Sequence, residues 1–535
     1  MTTTVPASAD AEEEIYKKEG VSMKKTHRIL GMLLALTMMT ALFAVPASAE
    51  ESYPDIEYWF TNEGYLPVEV GGAYYNLTKD TIGVGVYMPY VDWNGGQTYR
   101  EQLALRVAAN DTPDIFIYNG GIENSLILDG AVLDLTDYLP EYMPHVWEAI
   151  PSSVWEAVRA NDPTGEGRIW MIPDVTNFTR HGAYIRTDWL EKVGMEMPDT
   201  QEELVEVLRA FKDKDPNGNG AADEIPTGGR AEARWMDYLF AMYDVAMYEG
   251  YPEWDVYDGE ITYSAVTPNM KAALGFIASL YKEGLLDPET LLNSSSDWSG
   301  KFDSNTVGIY YHIPWVSYQR LQGIYDYTAG EVKATIANLP QISAEGYEGF
   351  ITVKPTGSSG RMISADVAKD EMLMKAAFRV LDCQYNMEYR DLEYGVEGMH
   401  YEVVDGKKVK LPEDKATQEL LILQTPGCMV ENVEVITSRL EAVRTTDNDW
   451  AVDQAIAVLN GNQADGKVVA SDGMPSSVYD GYEDIQNRTL YVEYASKIIS
   501  GEFELDKFDE FVERWYKNGG QAVTDRVREW YAGKQ

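Results

Sequence analysis

Short apolar runs alternate with amphipathic stretches along the chain. Residues 55–60 alternate apolar and polar positions as a half-buried strand does, and residues 81–87 form a second run of this kind. Residues 98–110, with Leu103, Leu105, Val107 and Ala108, predict an amphipathic helix. Residues 113–121 read Pro-Asp-Ile-Phe-Ile-Tyr-Asn-Gly-Gly, a nearly continuous apolar strand ending in polar and glycine positions. Strand, helix, strand with apolar strands predicts a parallel α/β sheet. Ligands of such sheets gather at the carboxyl ends of the strands, which puts Phe60, Tyr118 and Asn119 at the height of a cleft.

Farther along, two apolar stretches, 167–173 and 181–190, bracket a short polar connection that reads as a crossover between lobes. A helix follows: Thr200 with Glu203 makes a capping start, Leu204, Leu208 and Phe211 with Val205 and Val207 give it an apolar face, and Pro216 ends it. Residues 234–240 open another helix, and 268–283 a third with Ala272, Phe276, Ile277 and Leu280 inward. Residues 306–311 predict a strand running into Ile313-Pro314-Trp315, and 348–354 an extended segment. The run Pro355-Thr356-Gly357-Ser358-Ser359-Gly360 is linker-like and reads as a return crossing. Residues 372–387 are helical, 401–411 a hairpin around Asp405-Gly406, and the chain from 418 onward is mostly helical.

The 535 residues are 45% hydrophobic, enough for two cores. The formal net charge of −43 repels a phosphate backbone and excludes nucleic acid as a partner. It also argues against polyanionic ligands such as uronates, unless a local basic cleft overrides it. With 13 Trp, 36 Tyr and 13 Phe, the chain is rich in rings that combine an apolar face with a polar edge, which suits sugars. For most of these rings, core packing is the default reading.

Lys24, Lys25, His27 and Arg28 precede an apolar run, 29–43, and then Ala47-Ser48-Ala49. That order predicts a signal peptide over residues 23–49, cleaved before Glu50, with the acidic residues 1–22 outside it and Met23 as the true start. No cysteine follows the cleavage site, so no lipid-anchoring lipobox is predicted. The two cysteines, Cys383 and Cys428, read equally as one disulfide or as two buried thiols. Past residue 49 no run is long enough to span a bilayer, so passage across a membrane falls to other chains.

The most specific local pattern follows the capped helix. Asp215, Asn217 and Asn219 recur at every second position, Gly220 permits a sharp turn, the Ala221 carbonyl is available, and Asp223 and Glu224 close the set. Calcium needs six to eight oxygens from a flexible loop, and this spacing supplies them in the manner of an EF-hand. The pattern departs at the twelfth position, where Pro226 stands in place of the bidentate Glu. An Asx-turn loop bonded to its own backbone is the bland alternative.

Other motifs carry less. Residues 461–468 match a phosphate loop except for the final Ser or Thr, and they follow a helix, so they read as a turn. His145, His181, His312 and His400 lack zinc-protease spacing, and no Gly-x-Ser-x-Gly elbow is present. Carboxylates are too numerous for any pair to be nominated as a glycosidase couple. Trp93, Trp235 and Trp315 lie beside Pro, Gly or strand ends and read equally as core or as ligand-stacking rings.

The order of motifs resembles one family. Residues 184–194 (Tyr-Ile-Arg-Thr-Asp-Trp-Leu-Glu-Lys-Val-Gly), the helix 198–211, the loop from Asp215 to Pro226, residues 394–401 and the tail 497–520 are similar to the extracellular solute-binding proteins of carbohydrate ABC importers. Within that family they resemble the calcium-loop branch of alginate-binding and LplA-like proteins. The resemblance implies a two-lobe, α/β, periplasmic-binding-protein-like fold of type II, closing on an oligosaccharide. It implies lobes of 50–175 with 346–415 and of 176–345 with 416–535. By family analogy the calcium ligands are Asp215, Asn217, Asn219, Ala221, Asp223 and Glu224. The candidate ligand residues are Phe60, Trp93, Tyr118, Asn119, Tyr184, Trp235, Tyr238, Trp315, Tyr394 and Glu397. The expected protein is a non-enzymatic, exported monomer that serves a sugar and a membrane permease. A secreted carbohydrate-active hydrolase and a wall-associated adhesion protein are the competing classes.

Overall fold

The computed structural model describes residues 53–60, 67–92, 97–118, 122–232, 234–404, 406–411 and 430–534. The predicted signal peptide, Trp93, Asn119 and Cys428 lie outside them. Two mixed sheets, each with its own buried core, make a two-lobe α/β fold.

The first sheet has the strand order Val430–Glu431, Ile172–Thr176, Thr356–Ile363, Ile115–Tyr118, Ile56–Trp59, Val86–Tyr87. Its last three strands are parallel, as the strand, helix, strand pattern predicts. Thr356–Ile363 runs antiparallel to both its neighbours, so the sheet is mixed rather than parallel. The run 355–360, read as a linker, therefore enters a central strand. Its glycine serves close approach: a Cβ on Gly360 would stand 2.5 Å from the Ile172 carbonyl oxygen. The predicted strand over 81–87 is also corrected. Thr81 and Ile82 end the helix Ala73–Ile82, which stops on left-handed Gly83 (φ 73°), and only Val86–Tyr87 is extended.

The second sheet has the order Ile336–Leu339, Gly182–Arg186, Val307–His312, Ile225–Thr227. The helix Gln201–Asp213 starts as its capping residues predict, with the Glu203 N–H donating to Thr200 Oγ1 at 3.2 Å. Leu204, Val207, Leu208 and Phe211 face the core, where Phe211 meets Trp189 edge-on. Pro268–Glu283 is helical as predicted and buries Met270, Leu274, Ile277 and Leu280.

The chain passes between the lobes more than once. Val430 and Glu431 pair with Val175 and Thr176, so the C-terminal segment joins the first sheet before the helix Asp449–Gly461 packs on the second lobe. Ile351–Val353 pairs with Gly466–Val468 outside both large sheets, and the Met247 N–H donates to Thr352 Oγ1 at 3.1 Å. The segment predicted to open the first lobe's return thus rests on the second-lobe side. The phosphate-loop-like run pins another crossing: Asn462 Nδ2 donates to the Thr179 carbonyl at 3.0 Å and also to the His181 carbonyl. Cys383 is a buried free thiol whose Sγ donates to the Val380 carbonyl.

Candidate functional site

The strand Ile172–Thr176 leaves the first sheet, and the strand Gly182–Arg186 opens the second. Between and around them lies a cavity of about 320 Å³. Asp174, Thr356, Ser359 and Glu431 wall it from the first sheet, with Arg439 from the helix Val433–Ala442. Arg180, Tyr248, Glu249 and Lys354 wall the other side. Tyr248 and Glu249 come from a hairpin anchored in the second core through Met247.

Charge inside this cavity is paired. Arg180 Nη1 donates to Glu249 Oε1 at 2.8 Å, and its Nε lies 3.9 Å from Glu431 Oε2. Arg439 meets Glu431 at 3.1 Å, Lys354 meets Glu253 at 3.0 Å, and Arg361 reaches Asp174 at 2.5 Å. Arg361 is also held by the Tyr58 hydroxyl at 2.8 Å. Burial opposes the Arg180 charge, but Tyr248, Glu431 and Glu249 outweigh it and hold its pKa above the usual guanidinium value. The neighbouring His181 ring, with Arg180 and Arg234, holds the Glu249 carboxyl down to about 2. His181 itself is buried, and burial lowers its pKa. Such a wall offers fixed carboxylate acceptors and guanidinium donors to a polar ligand, and Ser359 and Thr356 add hydroxyls.

The ring candidates separate on burial. Phe60 is half-buried beneath Arg361, 5.4 Å from ring to guanidinium, and so sits one residue behind Asp174. Trp315 is half-buried, with Arg180 over its ring at 5.6 Å and Phe178 beside it. Trp315 thus touches a residue of the cavity wall, and Phe60 touches the arginine that pairs with one. Tyr184 is fully buried among Phe302 and Tyr310, and Tyr238 is buried against Tyr311 with its hydroxyl 2.9 Å from Thr227. Both are core residues, because their strand and helix turn them inward. Trp235 is 5% exposed, with Arg230 over its ring at 4.8 Å and His312 stacked on it at 4.7 Å, so no face is free for a sugar. Tyr394 is engaged by Lys408 and Tyr401 and by the Ser438 carbonyl, and Glu397 is exposed beside the hairpin at Tyr401. Tyr118 ends its strand as predicted. The polar cavity residues escaped the sequence reading, although Asp174 and Arg180 bound the polar connection that marked the crossover.

The predicted calcium loop is folded by its own hydrogen bonds. The Gly218 and Gly220 N–H groups donate to the Asp215 carboxylate at 3.0 and 3.1 Å, and Asn217 and Asn219 side-chain amides donate to Asp223. Among the described residues no group of three or more His, Cys, Asp and Glu side chains is placed to hold a metal. The donor chemistry nevertheless suits a hard cation: all the groups are oxygen-bearing, and Glu224 Oε1 is buried without a partner. Burial raises the Glu224 pKa, and Asp215 and Asp223 add to the rise, as expected where carboxylates crowd without a counter-charge.

Two lobes joined by crossings around a polar cavity define a ligand-binding protein of the periplasmic-binding-protein type. Residues 85–389 match the bacterial extracellular solute-binding protein family, and the chain belongs to it. Among its relatives, the chain is 26% identical over 456 residues to the lipoprotein LipO of Bacillus subtilis, covering 82% of this chain and 86% of that one. It is 28% identical over 240 residues to the fructooligosaccharide ABC transporter substrate-binding protein FusA of Streptococcus pneumoniae, covering 42% and 44%. The fold is similar to that of FusA in complex with kestose (TM-score 0.60, 18% identity, 90% of this chain and 99% of that one). It is also similar to the alginate-binding protein AlgQ2 (TM-score 0.63, 18% identity, 90% and 98%). Among the described residues no helix is long and apolar enough to cross a membrane.

Proposed function

We propose that the protein captures a sugar or short oligosaccharide between its lobes and delivers it to the membrane permease of an ATP-driven importer. The observation that carries this reading is the polar cavity walled from both lobes, with half-buried Trp315 against its Arg180 and half-buried Phe60 against Arg361, the partner of its Asp174. Carboxylates and guanidinium groups take sugar hydroxyls, while aromatic faces cover the C–H surface. We take the crossings to be residues 177–181, 340–355 and 432–448, and closure to be a hinge motion there. Ligand contacts to both walls favour the closed state by the difference in affinity between open and closed forms. The likeness to FusA and AlgQ2, which bind fructooligosaccharide and alginate by their names, supports a carbohydrate. No chemistry on the ligand is part of this reading, and the protein acts as an exported monomer.

We also assign the loop from Asp215 to Glu224 to calcium. The unpartnered Glu224 oxygen and the crowded carboxylates support it, as does the similarity to a FusA structure described as an EF-hand mutant. Asp215, Asn217, Asn219, the Ala221 carbonyl, Asp223 and Glu224 would hold the ion, which braces the end of the helix Gln201–Asp213.

A thermal-shift screen against mono- and oligosaccharides, with and without chelator, tests both assignments. Small-angle scattering with the best ligand should then show compaction. Recovery of a cleaved glycan after incubation would instead point to the hydrolase class, and no shift with any glycan would remove the carbohydrate reading.

A further inference from the structure

Thr356 and Ser359 both line the interlobe cavity, although they lie on one strand at an odd spacing. In a regular strand that spacing turns two side chains to opposite faces. The register shifts here: Thr356 pairs with Val175 but Gly360 with Pro173, so four steps along this strand match two along its neighbour. A bulge of this kind re-aims side chains, and it lets both hydroxyls reach the same cavity.

Both hydroxyl protons are already committed. Thr356 Oγ1 donates to Asp472 Oδ2 at 3.0 Å, and Ser359 Oγ donates to Asp174 Oδ2 at 2.5 Å. A hydroxyl carries one proton and two lone pairs, and a carboxylate only accepts, so these two oxygens have nothing but acceptor capacity left for a ligand. The carboxylates are themselves fixed. Asp174 Oδ1 takes Arg361, which the Tyr58 hydroxyl holds, and Asp472 Oδ1 takes the Thr356 N–H at 3.0 Å.

Asp472 stands apart from the acids of the cavity wall. It is 5% exposed, and among the described residues no cation pairs with its carboxylate; Lys534 donates instead to its backbone carbonyl at 2.7 Å. Burying a carboxylate without a counter-charge is costly, yet both side-chain hydrogen bonds of Asp472 are spent on Thr356. Its loop is held from both lobes. The Ser471 N–H donates to the Trp254 carbonyl of the second core at 3.2 Å. Gly473, at φ 74°, lies so close to the helix Ser152–Ala160 of the first lobe that a Cβ there would stand 2.3 Å from that of Ala157.

We propose that Thr356 and Ser359 form an acceptor-only edge of the ligand site, which selects a ligand presenting a free hydroxyl or amine proton there, and that Asp472 is the positioning residue that sets the polarity of Thr356. The inference rests on the carbohydrate reading given above. A sugar hydroxyl satisfies this edge by donating to it, while its lone pairs accept from Arg180, Lys354 or Arg439. An ether, an ester or a fluorine at the same position sets lone pairs against lone pairs and leaves desolvated acceptors unmatched. The site thus separates a free sugar from one alkylated or acylated at that hydroxyl.

Titration calorimetry on the full chain tests this. Cellobiose, mannobiose, galactobiose and kestose are screened first, and the best binder is then compared with its monodeoxy and monodeoxyfluoro analogues, one hydroxyl at a time. One position should lose roughly tenfold or more on either replacement. Thr356→Val should weaken the parent sugar by a similar factor and bind that deoxy analogue no worse than the parent, while Thr356→Ser keeps the discrimination. Asp472→Asn, whose amide offers protons where the carboxylate has none, should shrink the discrimination at that position and leave the others unchanged. Ser359→Ala should do the same at a second position, and the Thr356 and Ser359 variants decide the matter should Asp472→Asn fail to fold. Folded Thr356→Val and Ser359→Ala proteins that rank every analogue as the wild type does would overturn the inference and leave the carbohydrate reading intact. Equal losses for the parent and all analogues would mean that these residues only hold the strand, which also overturns it. Binding of no sugar in the panel or its longer homologues would remove the carbohydrate reading, and the inference with it.

Discussion

Arg180 and Glu249 face each other at 2.8 Å across the wall of the interlobe cavity, on segments 69 residues apart in the chain. Arg180 lies between the strands Ile172–Thr176 and Gly182–Arg186 and Glu249 in the turn of the Met247–Tyr248 hairpin, so the pair ties the stretch that joins the two sheets to one wall of the cavity.

The pH response of this pair has a definite sign. The Glu249 carboxyl is held at about 2, below its unfolded value, so its contribution to stability is complete above about 4.5 and is lost as pH falls toward 2. Glu249→Gln should flatten thermal stability measured across that acid window. It should also weaken ligand binding at neutral pH, where calorimetry would register the loss of a fixed acceptor.

Asp237 behaves in the opposite sense. Its Oδ2 accepts the Gly250 N–H at 3.1 Å, Oδ1 has no partner, and burial pushes its carboxyl up to about 7. The folded state therefore holds this proton more tightly than the unfolded chain, and stability declines as pH rises from about 4 to 7. Asp237→Asn should remove that decline and gain on the order of 4 kcal/mol at pH 8 in urea unfolding. Asp114 and Asp303, both pushed up to about 6 by burial, keep a weaker trend of the same sign in the variant.

The two tryptophans should part company on substitution. Trp315→Ala should weaken ligand binding with little change in melting temperature, because the ring is half-buried beneath Arg180 of the cavity wall. Trp235→Ala should lower stability by about 4 kcal/mol, the usual cost of emptying a buried aromatic site, and urea midpoints would register it.

Chelation should lower the melting temperature if the Asp215 loop takes calcium. With about 1 mM calcium and a dissociation constant near 0.1 mM, the ion contributes about 1.4 kcal/mol. Asp223→Ala should abolish the chelator's effect, since Asp223 anchors both loop asparagines.

What could be read before folding was whatever depends on neighbours within a turn or two. The start of the helix Gln201–Asp213, the helix Pro268–Glu283 and the hairpin Tyr401–Val404 with Lys407–Lys410 follow from caps, periodicity and turn residues. The run 355–360 misled because glycine and serine serve mobility in a linker and close packing in a strand alike. Only the backbone of Ile172, nearly 190 residues away, distinguishes the two uses.

The sequence by itself determined the α/β elements, the two cores and the family, since propensity, capping and motif order are local properties. The tertiary structure decided which rings face a ligand. Trp235 and Trp315 look alike in the chain, yet one is enclosed by Arg230 and His312 while the other opens beside Arg180. Burial and charge pairing are set by residues distant in sequence, and a polar cavity exists only once the crossings bring them together.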